Sequence, residues 1–159
     1  MTPKSPIFDI FLSLGSNIEP EKNIDFAKEQ LQIKYGKLLI SSIYKTKAVG
    51  FVGDDFLNLV IKVSTSDSPE TVIDHLHSIE KQTGRETGTG RFNSRTLDID
   101  LLLYGDLIDA SLNLPRDEIL EYDFVLEPLA EIFPEGIHPI ENKSYKEMFI
   151  ELKTSVSRE

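Results

Sequence analysis

Two helices with both ends written into the sequence constrain this chain more than any other feature. In "SPETVIDHLHSIEKQTG", Ser68 stands at a cap position, Pro69 takes the first turn and Gly84 closes the segment. Val72, Ile73, Leu76 and Ile79 recur at helical spacing and predict one inward stripe. The earlier "PEKNIDFAKEQLQIKYG" repeats the plan: Pro20 opens it, Ile24, Ala27, Lys28 and Leu31 share the spacing, and Gly36 ends it. Four apolar runs lie before, between and after these helices: "IFDIFLSL", "KLLISSIYKT", "FLNLVIKVST" and "TLDIDLLLYG". Each reads as a strand, and "AVGFVGDD" reads as a glycine-bearing loop between the second and third.

The order β-α-β-β-α-β is that of a ferredoxin-like, or split βαβ, unit. It predicts an α+β protein with an antiparallel sheet, two helices over one face and the other face left to loops. From Asp106 onward the chain predicts an appended C-terminal hairpin/helix region. Its parts are a hairpin strand "LIDASLNLP", a short helical turn near 117–121, "FVLEPLAEIFP" and a final amphipathic "SYKEMFIELK". No linker, repeat or low-complexity segment divides the 159 residues, so residues 1–159 read as a single domain.

Composition narrows the function. The chain has no cysteine, which excludes a disulfide framework, a thiolate zinc site and a cysteine nucleophile. A formal net charge of −10 argues against nucleic acid as a partner. The apolar run in "MTPKSPIFDIFLSLGSN" is too short for a signal-peptide core with a cleavage site, and no stretch approaches the roughly 20 apolar residues of a membrane span. A cytoplasmic protein without membrane contact is expected. Within this acidic chain, residues 81–95 reverse the sign: Lys81, Arg85, Arg91 and Arg95 face only Glu86, among Gly84, Gly88 and Gly90. Such a segment suits either a solvated loop with surface ion pairs or a local anion such as phosphate.

The sharpest candidate site is "RFNSRTLDIDLLLYG". Side chains alternate on a strand, so Asp98 and Asp100 share one side with Cα atoms about 6.5–7 Å apart. Leu97, Ile99, Leu101 and Leu103 are expected on the opposite face, packed on the helices, while Leu102 and Tyr104 continue the carboxylate side. Magnesium is commonly held by one or two carboxylates together with phosphate oxygens and water. Guanidinium forks of Arg85, Arg91 and Arg95 suit phosphate. His75 and His77 lie two apart on a helix and so do not make a metal pair, and His138 stands alone in a terminal loop. Asn58 interrupts an apolar strand and either faces solvent or offers a donor and an acceptor to a heterocycle, with Phe56 on the same face to stack on it. Glu80, at the end of its helix, reads as pairing with Lys81 or facing water.

In full, the chain resembles the 6-hydroxymethyl-7,8-dihydropterin pyrophosphokinase family of folate biosynthesis. The resemblance runs in order through "LSLGSN", "SSIYKTKAVG", "DDFLN", "IEKQTGR", "RFNSRTLDIDLLLYG" and "FVLEPLAEI". It implies a transferase that moves pyrophosphate from MgATP to the pterin hydroxymethyl group and releases AMP. ATP is a co-substrate with two Mg2+ ions, and the dihydropterin is the acceptor. By matching motif positions, Asp98 and Asp100 are implied as the metal ligands. Arg85 and Arg95 contact the triphosphate in the transition state, with Arg91 nearby. Glu80 and His77 lie near the nucleotide, and Arg116 is a further phosphate contact. Phe56 and Phe124 sandwich the pterin, while Asn58, Thr46 and the loop at Val49 bond its edge. The chain departs from the family pattern at Thr87, Phe92, Asn93-Ser94, Arg116 (commonly histidine) and Tyr122 (commonly arginine). Alternative readings are a paralogue acting on a related pterin and a catalytically silent pterin- or nucleotide-binding protein. Retention of Arg85, Arg95, Asp98 and Asp100 argues against the silent one.

Overall fold

The computed structural model describes residues 6–46, 55–83 and 97–157; the loop expected near 47–54 and most of the basic segment lie outside the described residues. Strands β1 (Phe8–Ser16), β2 (Leu39–Ile40), β3 (Tyr44–Thr46), β4 (Phe56–Thr65) and β5 (Asp98–Tyr104) form one antiparallel sheet. Its order is β2-β4-β1-β5, with β3 also on β4, so the second apolar run is divided in two. Ser41 explains the break. Its backbone N–H bonds Val60 O at 2.9 Å, but its hydroxyl rather than a carbonyl accepts from Val60 N–H, also at 2.9 Å.

Helices α1 (Pro20–Tyr35) and α2 (Pro69–Gln82) form where their end signals stand. Ser68 Oγ accepts from Thr71 N–H, Pro69 opens α2, and Gly36 turns the chain out of α1 at φ 85°, a conformation that favours glycine. Ile24, Ala27 and Leu31 of α1, with Val72, Leu76 and Ile79 of α2, bury against Ile10, Leu12, Leu14, Leu59, Ile61, Val63, Ile99 and Leu101 of the sheet. Lys28 stays half-buried outside that core. This is the expected α+β, ferredoxin-like core, followed by a helical extension.

The other face is not left to loops. After the short α3 (Glu118–Glu121), α4 (Asp123–Ile132) and α5 (Tyr145–Ser157) cover Phe11, Val60, Leu102 and Leu103 with Val125, Leu126, Leu129, Tyr145 and Met148. The sequence pattern hid this layer because only half of that sheet face is apolar. The alternation along β5 also fails at one point. Leu101 pairs with Leu12 and Leu103 with Phe11, so Leu102 is an extra residue, a β-bulge. Leu103 therefore joins the second core and Tyr104 the first, the reverse of strict alternation, and the Tyr104 hydroxyl donates to Asp67 O. The expected hairpin strand at 107–115 reduces to a single bridge, Asp109 to Leu114, around a 3-10 turn at Ala110–Leu112. Asp109 Oδ1 takes both the N–H and the hydroxyl of Ser111, which favours a local turn over ladder pairing.

Candidate active site

The cover of α4 and α5 stops partway along the second face. On β1 the buried Phe11 gives way to Ser13 and Gly15; on β4, Val60 gives way to Asn58 and Phe56; on β5, Leu102 gives way to Asp100 and Asp98. These residues floor a cavity of about 740 Å³. Thr46 of β3 borders it, and Glu118, Tyr122, Asp123 and Phe124 wall it from the junction of α3 and α4. The fold thus gathers Thr46, Phe56, Asn58, Asp98, Asp100 and Phe124, which are far apart in the chain.

Register explains the floor. Gly15 pairs with Asn58 on one side and Asp98 on the other, so it separates the amide from the carboxylate. A Cβ on Gly15 would come within 3.1 Å of Asn58 Oδ1, so glycine keeps this floor low. Asn58 is buried, and its Nδ2 donates to Thr46 Oγ1 at 2.8 Å, which sets the orientation of the amide. Phe124 stacks on Tyr122 with ring centroids 5.0 Å apart and planes at 25°.

Glu80 corrects an expectation. It neither faces water nor depends on Lys81: it is 5% exposed, and its Oε2 accepts from Ile99 N–H at 2.9 Å. Because β5 is at the edge of the described sheet, the outward N–H of Ile99 needs a partner, and this carboxylate supplies it between the two aspartates. Glu80 is in this sense a positioning residue. His77 is exposed on α2 and does not line the cavity. His75 packs edge-on against Tyr35, and burial lowers its pKa. His138 is buried, with Nδ1 accepting from the N–H groups of Ile140 and Glu141 at 3.1 and 3.0 Å, so it is a structural residue rather than an isolated loop histidine.

Arg116 lies beside the carboxylates. Its Nη2 is 3.4 Å from Asp100 Oδ1 and 2.9 Å from Glu118 Oε1, and its backbone N–H bonds Leu102 O at 3.0 Å. Burial opposes its charge, but Asp100, Glu118 and Asp117 outweigh that and raise its pKa above the ordinary arginine value. Farther along α4, Glu131 accepts from Ser42 N–H and Oγ and from the Tyr44 hydroxyl at 2.6 Å, which ties α4 to the β2–β3 link. Burial works against the Glu131 charge, yet the bonds from Tyr44 and Ser42 hold it below the usual carboxylate range.

Sequence reasoning did not single out Glu118 or Asp123. The signal available was the acidic density of "RDEILEYDF" directly before the aromatic Phe124. Val49, Arg85, Arg91 and Arg95 lie outside the described residues, as do Thr87, Phe92, Asn93 and Ser94. Among the described residues no three histidine, aspartate or glutamate side chains form a ready metal cage. Two strand carboxylates fit magnesium nonetheless, because that ion takes much of its shell from water and substrate phosphate.

The family model for 7,8-dihydro-6-hydroxymethylpterin-pyrophosphokinase (HPPK) matches residues 11–134. The chain is 36% identical over 146 residues to the 2-amino-4-hydroxy-6-hydroxymethyldihydropteridine pyrophosphokinase of Aquifex aeolicus, covering 87% of this chain and 88% of that protein. The protein of the same name from Porphyromonas gingivalis is 33% identical over 138 residues, covering 82% of this chain and 93% of that one. Among solved structures, wild-type Plasmodium falciparum HPPK-DHPS with pteroate superposes with a TM-score of 0.69 at 15% identity. That match covers all of this chain but 45% of the other, and at such identity it is a likeness of fold.

Proposed function

The chain belongs to the 7,8-dihydro-6-hydroxymethylpterin-pyrophosphokinase family and is an ATP-dependent pyrophosphokinase of folate biosynthesis; from that premise we propose how its residues divide the work. The reaction moves the β,γ-pyrophosphoryl group of ATP to the hydroxymethyl oxygen of the dihydropterin. An O–P bond forms to the β-phosphorus, the bond from that phosphorus to the α,β-bridging oxygen breaks, AMP leaves, and the hydroxyl proton passes to solvent. Phosphoryl chemistry of this kind needs alignment and charge compensation more than covalent help.

One observation carries the assignment: the two aspartates and the aromatic-amide set line a single cavity. Phe56 on the floor and Phe124 on the wall take the faces of the pterin ring, with Tyr122 backing Phe124. Asn58, held by Thr46, bonds the ring edge, and the segment at Val49 adds to it. Asp98 and Asp100 hold magnesium that arrives with ATP, two ions by family analogy. When bound, the metal neutralises triphosphate charge and fixes its oxygens. Carboxylates at Asp98, Asp100, Glu118 and Asp123 would repel a bare polyphosphate, so cations must accompany it. Arg85, Arg91 and Arg95 supply those charges from the basic segment, and Arg116 from beside Asp100. Glu80 sets the strand that carries both aspartates, while a nucleotide contact for His77 rests on sequence resemblance alone.

We read residues 1–159 as one catalytic domain, because both cores share one sheet. No helix among the described residues is long and apolar enough to cross a membrane, and a cytoplasmic enzyme acting on ATP and the dihydropterin is the reading we favour. The test is AMP release from MgATP with and without 6-hydroxymethyl-7,8-dihydropterin, with Asp98→Ala alongside. Pterin-dependent AMP that disappears in the variant supports the assignment. Folded protein that binds the pterin but forms no AMP would sink it. Tyr122 favours one variation, a related pterin as the preferred acceptor, because it lies in the cavity wall beside Phe124. Turnover of side-chain analogues in competition separates the two.

A further inference from the structure

Arg116 is built into the strand that carries the aspartates. Its own N–H bonds the carbonyl of Leu102, two residues beyond Asp100 on β5. That anchor places the guanidinium between Asp100 and Glu118, with one nitrogen, Nη2, reaching both carboxylates. The arrangement is half-buried, unlike a solvated surface pair, so its charge is only partly screened. A second observation is independent of the ion pairs. The Nε–H of Arg116 is buried and has no hydrogen-bond partner among the described residues. A buried donor left without an acceptor is costly, and an incoming anion can relieve that cost.

We infer that Arg116 is an internal counter-cation for Asp100, which holds that carboxylate until a polyphosphate draws the guanidinium away and so makes metal binding depend on nucleotide. This rests on the reading that Asp98 and Asp100 take magnesium with ATP. The logic is a competition between two cations for one carboxylate. Without nucleotide, a divalent ion approaching Asp100 meets a fixed positive charge beside Oδ1. With nucleotide, phosphate oxygens offer the guanidinium bidentate bonds and give Nε–H an acceptor, and Asp100 is released to the metal. Glu118 keeps the arginine within reach during the exchange, since its contact is the shorter of the two. Metal and nucleotide then favour each other through the protein, in addition to their direct chelation, and such coupling is reciprocal.

The experiment measures Mn2+ affinity by the loss of the free-ion electron paramagnetic resonance signal, with and without α,β-methylene-ATP. It compares the wild-type chain with Arg116→Gln, Arg116→Met and the charge-retaining Arg116→Lys. Chelation by the nucleotide is common to all four chains and cancels. The neutral variants should bind Mn2+ alone roughly tenfold more tightly than wild type, inside the range of coupling between linked sites. Arg116→Lys should stay within about twofold, and with the analogue present the advantage of the neutral variants should vanish. Arg116→Met retains the buried stem, so it carries the comparison if Arg116→Gln folds poorly by circular dichroism. Equal Mn2+ affinity of the wild-type and folded neutral chains without nucleotide overturns the inference while leaving the aspartate assignment standing. If no chain, wild type included, binds Mn2+ with the analogue present, the aspartate assignment fails and the inference fails with it.

Discussion

The two faces of the sheet start from the same strands and end differently. On the α1/α2 face, Ile10, Leu12 and Leu14 are buried in succession along β1. On the opposite face, Phe11 is buried under α4 and α5, but Ser13 and Gly15 look into a cavity. The backbone alternation of β1 is the same for both sets; only the length of the covering layer differs. A ligand site can therefore be made by ending a helical layer early, provided the strands change from apolar to polar residues at that boundary. Here β1, β4 and β5 change together, at Phe11/Ser13, Val60/Asn58 and Leu102/Asp100.

This comparison can be broken most forcefully in the sealed core. Leu12→Ala should cost about 3–5 kcal/mol in urea unfolding, whereas Ser13→Ala, one residue away on the open face, should stay within about 0.5 kcal/mol. Comparable losses at both positions would mean that the open face also carries the fold. Next in size, Asp98→Asn should lower kcat/KM by about 100-fold or more, equivalent to roughly 2.7 kcal/mol of transition-state stabilisation, with a small change in unfolding midpoint. Retained turnover would remove this aspartate from the metal role.

Glu80 tests the link between the faces, because a buried carboxylate from the sealed side sets the strand that bears the open-side aspartates. Glu80→Ala should cost about 1–3 kcal/mol in stability and raise the magnesium concentration needed for half-maximal rate, with Glu80→Gln recovering part of both. A stability loss with no change in magnesium dependence would confine Glu80 to folding. Gly15→Ala should act more gently. The added methyl must displace the Asn58 amide, so KM for the pterin should rise about tenfold while kcat changes little. Unchanged KM would show that the Asn58 amide does not contact the ring.

The smallest effect concerns pH. Burial lowers the pKa of His75 against the sealed face and of His138 beyond the other, Glu141 opposing the shift at His138 and Asp67 opposing it at His75. Each imidazole therefore takes up a proton more readily in the unfolded chain. Stability should fall as pH drops below the ordinary value of 6.5 toward each lower folded pKa, then level. His138→Gln should flatten part of that slope in thermal melts recorded between neutral and mildly acid pH, and an unaltered slope would assign it elsewhere.

Much of this molecule was legible in its sequence. The ends of α1 and α2, the antiparallel sheet and the shared side of Asp98 and Asp100 follow from caps, prolines, glycines and period-two alternation. Those signals act over a few residues, so they survive whatever the rest of the chain does. The bulge at Leu102 was not legible, because an extra residue in one strand is visible only against its partner. Neither was the second helical layer, since "FVLEPLAEI" shows that it has an apolar face but not which surface will receive it.

The sequence by itself determined the order of elements, the family motif and the residue types of the site: carboxylates on a strand, an amide and aromatics beside them, arginines before them. Tertiary structure alone decided that Glu80 faces Ile99 N–H across 19 positions, that Arg116 holds Asp100, and that the helical cover ends above Ser13. The physical reason is the range of the forces involved. Backbone geometry and capping are settled between near neighbours, whereas desolvation, ion pairing and cavity shape exist only once distant segments exclude water together.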